Sequence, residues 1–340
     1  MHNILVTGGA GYIGSHTCVE LLNSEYNIVV IDNYKNSWEE SLKSVQKITG
    51  RIFKYYECDI KDSEKLEAIF KKHKINAVIH FAGLKSVAQS NIFPLDYYLN
   101  NVWGTINLCR IMKKFFVKKI VFSSSATVYG DSPEIPFKED TKKGKLSSVY
   151  GKTKLMVEEI LRDIKKSDNE WSISILRYFN PVGAHESGLI GENPKGIPNN
   201  LMPFISQVAA DILPELTIFS DDYETPDGTC IRDYIHVVDL AKGHILALNK
   251  ILINNTFDVY NLGSGVGHSV LELVSAFEKA CLTTVKYKIG PRRSGDLPML
   301  YADTTKAKKE LCFCASSDIE KMCKDTFNWQ NKNKSKYYKK

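Results

Sequence analysis

The stretch Thr7-Gly8-Gly9-Ala10-Gly11-Tyr12-Ile13-Gly14 (residues 7–14) joins a short β-rich run, Asn3 to Thr7, to a helical pattern, Gly14 to Ser24. Glycines allow a turn with positive φ and let the backbone approach a ligand closely. The positive end of the following helix attracts phosphate groups. This order of strand, glycine loop and helix predicts a site for the pyrophosphate of a dinucleotide.

Five β-rich runs alternate with helical patterns, such as Lys61 to Lys72, through the first half of the chain. The predicted strands are Asn3 to Thr7, Asn27 to Asp32, Ala77 to Phe81, Lys119 to Ser123 and Ser172 to Arg177. Their nearly uninterrupted apolar stretches, such as Ile28 to Ile31, fit burial on both faces of a sheet. The pattern predicts an α/β fold built on a doubly wound, Rossmann-type parallel sheet.

An acidic residue, Asp32, closes the second predicted strand 18 residues after Gly14. An acid in this place can bond both hydroxyls of a ribose and repel a 2′-phosphate. The pattern therefore predicts NAD rather than NADP as the cofactor. The alternative is that Asp32-Asn33 only forms a turn after the strand.

The local composition of the sequence changes after about Asn180, where Gly, Pro and Asn interrupt the alternation of predicted strands and helices. We predict an NAD-binding domain over residues 1–180, which also holds the catalytic residues. A smaller α/β substrate-binding C-terminal domain is predicted over residues 181–330. Whether segments around 230–260 return to the first domain is left open. Residues 331–340 are predicted to form a solvated basic tail.

Composition limits the functions that the chain can have. The 340 residues are 43% hydrophobic, and the net charge is +6. Basic clusters are not interleaved with aromatic residues, so we expect small anionic molecules rather than nucleic acid as partners. The eight cysteines are scattered and favour buried thiols, so no metal is predicted. With no signal-like start and no apolar run of membrane-spanning length, we expect a cytoplasmic protein without a membrane partner.

A Ser-rich strand end and a Tyr-x-x-x-Lys pattern mark the candidate catalytic residues. Ser125 follows the fifth predicted strand, and Tyr150 and Lys154 stand one turn apart in a predicted helix. A free phenol, with a pKa of about 10, is a weak base at neutral pH. We expect the Lys154 ammonium and a nicotinium ring to stabilise the phenolate of Tyr150, while Ser125 bridges phenol and substrate. The alternative is an ordinary surface pair.

Three longer runs resemble signature segments of the UDP-glucose 4-epimerases, within the extended short-chain dehydrogenase/reductase family. They are Ser123 to Gly130, Leu176 to Ala184 and Gly196 to Pro203. The similarity extends from Asn3 to about Gln330 and includes the Gly8/Gly11/Gly14 spacing. Related 4,6-dehydratases carry an acid pair where Ala126 and Thr127 stand here, so elimination of water is disfavoured.

The resemblance implies reversible interconversion of UDP-glucose and UDP-galactose with bound NAD. In that cycle Tyr150 takes the proton of the 4-hydroxyl, a hydride passes from sugar C4 to NAD, and the 4-keto sugar turns before the hydride returns to its other face. Arginines suit the diphosphate that must be held meanwhile. Three alternatives stay open: epimerisation of a UDP-N-acetylhexosamine, epimerisation of UDP-glucuronate, and a catalytically silent NAD-sensing protein.

The resemblance also implies which residues surround each ligand. Those expected at the cofactor are Gly8, Gly11, Tyr12, Ile13, Gly14, Asp32, Asn33, Asp59, Ile60, Phe81, Ala82, Gly83, Lys85, Asn100, Ser123, Tyr150, Lys154 and Tyr178. Those expected at the UDP-sugar are Lys85, Ser125, Ala126, Thr127, Tyr150, Phe179, Asn180, Asn200, Leu201, Thr217, Ile218, Phe219, Arg232, Arg293, Asp296 and Leu300. His236 lies in an apolar run and is interpreted as structural.

Two further expectations follow from the resemblance. Leu300 stands where family members carry a tyrosine or a smaller residue, so acceptance of a 2-acetamido group is left open. The helical stretches Leu95 to Phe115 and Tyr150 to Lys166 match helices that pair as a four-helix bundle in family dimers. They imply a homodimer, with packing inside one chain as the alternative.

Overall fold

The computed structural model describes residues 2–337 except Gly196, Ile197, Asn199, Ser294 and Gly295, so part of the run Gly196 to Pro203 lies outside the described residues. The strands are β1 Asn3–Thr7, β2 Asn27–Asp32, β3 Lys54–Glu57, β4 Ala77–His80, β5 Lys119–Ser125, β6 Ser172–Tyr178, β7 Asn180–Val182, β8 Leu216–Phe219, β9 Ile231–His236, β10 Phe257–Leu262, β11 Gly267–Ser269, β12 Tyr287–Gly290 and β13 Met299–Leu300.

Helices connect most of these strands. The α-helices are α1 Tyr12–Asn23, α2 Glu39–Thr49, α3 Ser63–Lys72, α4 Val87–Ile92, α5 Pro94–Tyr97, α6 Gly104–Lys114, α7 Val149–Ser167, α8 Leu201–Ala209, α9 Val237–Ile253, α10 Val270–Cys281, α11 Thr305–Leu311 and α12 Ile319–Tyr337. A π-helix, Tyr98–Trp103, links α5 to α6, and a 3₁₀ helix, Ala126–Tyr129, follows β5.

Seven parallel strands form the central sheet in the order β3-β2-β1-β4-β5-β6-β10. In register, Leu5 of β1 lies between Val29 of β2 and Val78 of β4. The winding direction reverses at β1, and open sheets of this kind bind ligands outside the carboxyl ends of the strands near such a point. The predicted doubly wound, Rossmann-type sheet is confirmed.

Successive side chains of β1 enter two separate core layers, because neighbouring residues of a strand point to opposite faces. Ile4 and Val6 pack with Val19 of α1 on one face of the sheet. Leu5 packs with Leu66 of α3 on the other face. Burial on both faces explains why the strand is apolar without interruption.

A second, smaller region follows β6. There β9 pairs with β7, β11 and β13, while β8 and β12 form a separate two-stranded sheet. The core of this region includes Leu216 of β8, Phe277 of α10 and Met322 of α12. The chain then returns to the first region, since β10 pairs with β6 along its whole length and α9 packs against α1.

Two helical segments differ from the expectations. The predicted helix Leu95 to Phe115 consists of α5, the π-helix and α6 in succession. Residues 331–337, predicted as solvated tail, continue α12. Asn333 donates a hydrogen bond to the Gly188 carbonyl at 3.0 Å, which holds this part of the helix against the protein.

The remaining gross features concern membranes, thiols and metals. Among the helices of the described residues, none combines the length and the apolar character that a membrane span needs. The eight cysteines are free thiols. The described part of the chain contains no group of three or more His, Cys, Asp or Glu side chains that could hold a metal ion.

Candidate active site

One large cavity, of about 1390 Å³, opens at the carboxyl ends of the central strands. Single small-molecule sites have volumes of roughly 300–1,000 Å³, so this cavity can hold more than one ligand of ordinary size. Its wall combines the glycine loop, the ends of β4 and β5, the start of α7 and residues of the smaller region. Every residue expected at the cofactor or the substrate lines it except Asp59.

The glycine loop forms the narrow part of this wall. Gly8 has φ +71°, and a Cβ added there would lie 2.8 Å from the Ala82 nitrogen. A Cβ on Gly14 would lie 2.3 Å from the Gly8 carbonyl oxygen. Gly11 occupies the N-cap of α1 and brings no side chain to cover the first amides of the helix. Free amides at a helix start, with bare backbone around them, fit the pyrophosphate of a dinucleotide.

Asp32, at the end of β2, is already partly engaged. Its carboxylate accepts hydrogen bonds from the Ala10 amide at 3.0 Å, the Tyr34 amide at 3.0 Å and the Ser37 hydroxyl at 2.7 Å. A carboxylate offers about four acceptor positions, so about one is left for a ribose hydroxyl at the cavity. The three protein donors hold the carboxylate in a fixed orientation, which suits recognition of a ribose.

Asp59 is the one residue expected at the cofactor that does not line the cavity. The cavity wall includes its neighbours Cys58 and Ile60 but not Asp59 itself. Its carboxylate accepts from the Asn33 side-chain amide at 3.0 Å and from the Lys61 backbone amide at 2.9 Å. Asp59 therefore fixes the side chain of Asn33, which lines the cavity, and its own contact with the cofactor stays a prediction.

Ser125, Tyr150 and Lys154 come together from two elements. Ser125 is the last residue of β5, and α7 begins at Val149. The Ser148 hydroxyl caps α7 by accepting from the Gly151 amide at 3.1 Å, which sets where the helix starts. The Ser125 hydroxyl accepts from the Thr127 amide at 3.2 Å and lies close enough to the Tyr150 phenol to lower its pKa. All three side chains line the cavity.

Lys154 is buried beneath Tyr150. Its Nζ donates to the Ser123 carbonyl at 2.6 Å and lies 5.9 Å from the centre of the Tyr150 ring. Burial lowers the pKa of Lys154 to about 8, although the charge of Glu158 acts in the opposite direction. At neutral pH the side chain is therefore mostly protonated and places a positive charge under the phenol.

The Tyr150 phenol has a raised pKa in the protein without cofactor. Burial raises the pKa of this phenol to about 12, and the hydrogen bond from Ser125 only partly opposes the effect. Desolvation disfavours the charged form of any buried acid. In the protein alone Tyr150 is consequently a neutral donor, and Lys154 by itself does not make it a phenolate at neutral pH.

The sequence did not predict the buried ion pair between Arg177 and Glu158, which lies behind the catalytic residues. Arg177 donates to Glu158 from Nε at 3.0 Å and from Nη2 at 2.7 Å, and both side chains are buried to 1% exposure or less. The Ser124 hydroxyl also donates to Glu158 at 2.6 Å. The pair links α7 to the ends of β5 and β6, so it supports the helix that carries Tyr150 and Lys154.

The π-helix positions two neighbouring asparagines. Asn100 lines the cavity. The side-chain amide of Asn101 donates to the Leu84 carbonyl at 3.0 Å and to the Thr153 hydroxyl at 3.0 Å. Its side-chain oxygen accepts from the Leu84 amide at 2.8 Å. Asn101 thus fastens the loop after β4 to α7. Wider helical turns of this kind are common at functional sites, but no local motif in the sequence identifies this one.

The smaller region contributes polar groups to the other half of the cavity. Glu192 accepts from the Lys85 ammonium at 2.9 Å and from the Asn200 side chain at 2.8 Å. Arg232 donates to the Leu297 carbonyl at 2.8 Å, and Arg293 pairs with Asp296 at 2.7 Å. Glu192 was not among the expected site residues.

The wall near the catalytic residues is apolar where it meets the smaller region. Ala126 and Phe179 are buried there in one cluster, with Leu300 packed against them. His236 is not part of the cavity wall. Its Nδ1 accepts from the Val238 amide at 3.1 Å, and its Nε2 bonds the Asp325 carboxylate at 3.1 Å, in line with a structural role.

Comparisons with known proteins agree with this geometry. Residues 4–263 match the NAD dependent epimerase/dehydratase family. The chain is 56% identical to the UDP-glucose 4-epimerase of Bacillus subtilis over 98% of each chain. It is 52% identical to that of Mus musculus, again over 98% of each chain.

Solved structures show the same relationship. The UDP-glucose 4-epimerase of Bifidobacterium longum, in complex with NAD+ and UDP, superposes with a TM-score of 0.94 at 51% identity, covering 97% of this chain and 98% of the other. A UDP-Glc/GlcNAc 4-epimerase of Campylobacter jejuni gives 0.85 at 36% identity, covering 98% of this chain and 100% of the other. The chain therefore belongs to the NAD dependent epimerase/dehydratase family and, within it, to the UDP-glucose 4-epimerases.

Proposed function

We propose that this protein interconverts UDP-glucose and UDP-galactose by reversible oxidation at sugar C4 with bound NAD. The observation that carries the proposal is the meeting of Ser125, Tyr150 and Lys154 in the same cavity as the glycine loop. Ala126 and Thr127, which follow Ser125, provide no carboxylate for eliminating water. Relatives that bind NAD and UDP support this assignment.

The protein's own residues handle the proton in this proposal. NAD, when bound against the glycine loop, supplies the hydride acceptor and a positive charge on its nicotinamide ring. Tyr150 accepts the proton of the sugar 4-hydroxyl and later returns it, with Ser125 as the bridge. Because burial raises the pKa of Tyr150 to about 12, the phenolate forms only when both Lys154 and the oxidised ring add positive charge nearby.

The substrate half of the cavity is arranged to hold one end of a UDP-sugar and leave the other free. Arg232, Arg293 and Asn200 offer donors to the diphosphate. The apolar cluster of Ala126, Phe179 and Leu300 lacks directional hydrogen bonds, so a sugar ring can turn beside it. This combination suits a reaction in which the 4-keto sugar must show both faces to the cofactor.

The proposal includes a homodimer. Large apolar side chains stand exposed on neighbouring helices: Ile92 of α4 at 68%, Leu95 of α5 at 79%, Leu99 of the π-helix at 51% and Met156 of α7 at 44%. Exposed apolar patches mark interaction sites, and α5, the π-helix and α7 lie in the two stretches, Leu95 to Phe115 and Tyr150 to Lys166, that resemble the pairing helices of family dimers. A cytoplasmic location is proposed from the eight free thiols, which a reducing compartment preserves.

The experiment is conversion of UDP-galactose to UDP-glucose by purified protein, followed chromatographically beside Tyr150→Phe. The variant keeps the ring but loses the hydroxyl, so we expect turnover to fall by a factor of about 10²–10⁴. Tyr55→Phe is the matched control, since its hydroxyl bonds Glu39 away from the cavity. Absence of conversion by a wild-type protein that holds NAD would overturn the substrate assignment and direct the assay to UDP-glucuronate and UDP-N-acetylglucosamine.

A further inference from the structure

A short segment of the smaller region, residues 191–195, runs along the cavity from α12 to the loop after β2; we call it the strap. Its first four residues line the cavity. It is seated on α12 at its start, because a Cβ added to Gly191 would lie 2.5 Å from ring atoms of Trp329. No side chain fits at residue 191, so the backbone of the strap lies directly against α12 where the strap begins.

The first anchor of the strap is Glu192. Its carboxylate accepts from Lys85 at 2.9 Å, and Lys85 lies in the loop after β4, on the central part of the sheet. The Glu192 side chain is only 10% exposed, whereas that of Lys85 is 45% exposed, so the carboxylate is fixed within the wall and the ammonium reaches it from the solvent side. This ion pair ties the strap to the loop after β4.

The second anchor is Lys195, which contacts the loop after β2 in three ways. Its backbone amide donates to the Asn36 side chain at 3.1 Å, and its Nζ donates to the Tyr34 carbonyl at 2.6 Å. The same Nζ lies 4.5 Å from the centre of the Trp38 ring, a distance typical of a cation–π contact. All three partners belong to the loop that follows Asp32.

This second anchor is coupled to the ribose-recognition carboxylate. The Tyr34 amide donates to Asp32 at 3.0 Å, so Lys195 holds the carbonyl of a residue whose amide orients Asp32. Asp32, the glycine loop and Glu192 line the same cavity, so the strap borders the groups proposed to bind NAD. If a dinucleotide bound there lay beneath the strap, an anchor would have to open before it could leave.

We propose that Glu192 and Lys195 retain the cofactor, by fastening the strap to both sides of the cleft that holds NAD. The inference rests on the proposed function only in taking NAD as the ligand. Retention has a chemical use in such an enzyme, because the hydride taken from one face of the sugar must return from the same cofactor molecule. An epimerase that released its reduced cofactor in mid-cycle would stall.

The experiment measures release of NAD directly. Wild-type protein and Lys195→Met are loaded with radiolabelled NAD, diluted into excess unlabelled NAD, and sampled by rapid gel filtration for retained label. Methionine keeps most of the side-chain length but loses the ammonium and both of its contacts. We expect release to be about tenfold faster in the variant, while turnover at saturating NAD stays unchanged.

Lys35→Met is the matched control. Lys35 is an exposed lysine on the same loop that also lines the cavity, so its loss removes an equal charge without removing an anchor. We expect its release rate to match wild type. Glu192→Gln keeps an acceptor for Asn200 but loses the charge that faces Lys85, and it is expected to speed release as Lys195→Met does.

The possible results separate the two proposals. Equal release rates for wild type and Lys195→Met would overturn the strap inference while leaving NAD binding intact. Equal acceleration by Lys35→Met and Lys195→Met would also overturn it, since the effect would then come from charge alone. A wild-type protein that is first freed of bound nucleotide and then holds no label after loading would overturn the proposed function and the strap inference together.

Discussion

Replacing Glu158 by glutamine removes one charge from the buried pair behind the catalytic residues. Glutamine has nearly the same size, so the packing around it is kept. Arg177 would then be a cation at 1% exposure without its carboxylate, and breaking a buried pair in this way costs about 3–5 kcal/mol. With an unfolding entropy of about 2.1 cal/mol/K per residue, that loss lowers the melting temperature of a chain of this length by about 4–7 °C.

The assay is thermal unfolding of cofactor-free protein, followed by circular dichroism. Glu159→Gln is the matched control. Glu159 is the next residue of α7, but its side chain is 54% exposed and its ion pair with Arg162 is long, at 3.6 Å. Exposed pairs contribute about 1 kcal/mol or less, so this control should melt within about 1–2 °C of wild type. Equal melting temperatures for Glu158→Gln and Glu159→Gln would refute the view that the buried pair holds α7 in place.

Three further predictions concern the cofactor, the proton and the sugar. Gly8→Ala should abolish NAD retention, measured on the purified protein, because its Cβ would lie 2.8 Å from the Ala82 nitrogen at a φ of +71°; retention at the wild-type level would contradict the proposed pyrophosphate site. Turnover should fall as the pH rises through about 8, where the Lys154 ammonium is lost, and Glu158→Gln should move this fall to lower pH. The pKa of Lys154 is lower in the folded chain than the ordinary 10.5, so the unfolded chain binds more protons between about pH 8 and 10.5. The contribution of Lys154 to folding stability therefore rises over that range. Circular dichroism should show that the protein stays folded where turnover is lost. Leu300→Tyr should reduce any turnover of UDP-N-acetylglucosamine more than that of UDP-galactose, because the larger ring narrows the apolar wall; an equal reduction of both would contradict that role.

Local patterns made the central part of the fold predictable. The glycine loop, the apolar strands and the acid at Asp32 are all defined within short windows of sequence, and their order along the chain specifies a parallel sheet. Ser125, Tyr150 and Lys154 could be predicted for the same reason, since one turn of helix fixes the spacing of the last two. The structure brings all three to one cavity.

What the sequence did not reveal depends on contacts between distant segments. Glu158 with Arg177, Asn101 with Leu84, and Glu192 with Lys85 join residues far apart in the chain, and no local pattern announces them. The high pKa of Tyr150 arises from burial by the whole fold, so it could not be read from its neighbour one turn away. The start of the predicted tail is helical because Asn333 finds a partner in Gly188, again a distant contact.

The return of the chain to the central sheet limits how such an enzyme can be recombined. A cut after residue 180 would strip β6, whose seven residues are all buried, of its neighbour β10 and leave an apolar edge that invites aggregation. A fragment that ends there is therefore a poor module for fusion or display. Exchanging the substrate region between relatives requires three junctions, after β6, before α9 and after β10, because α10 and α12 after β10 belong to the core of the same region. The host then keeps β10 and the sheet stays whole.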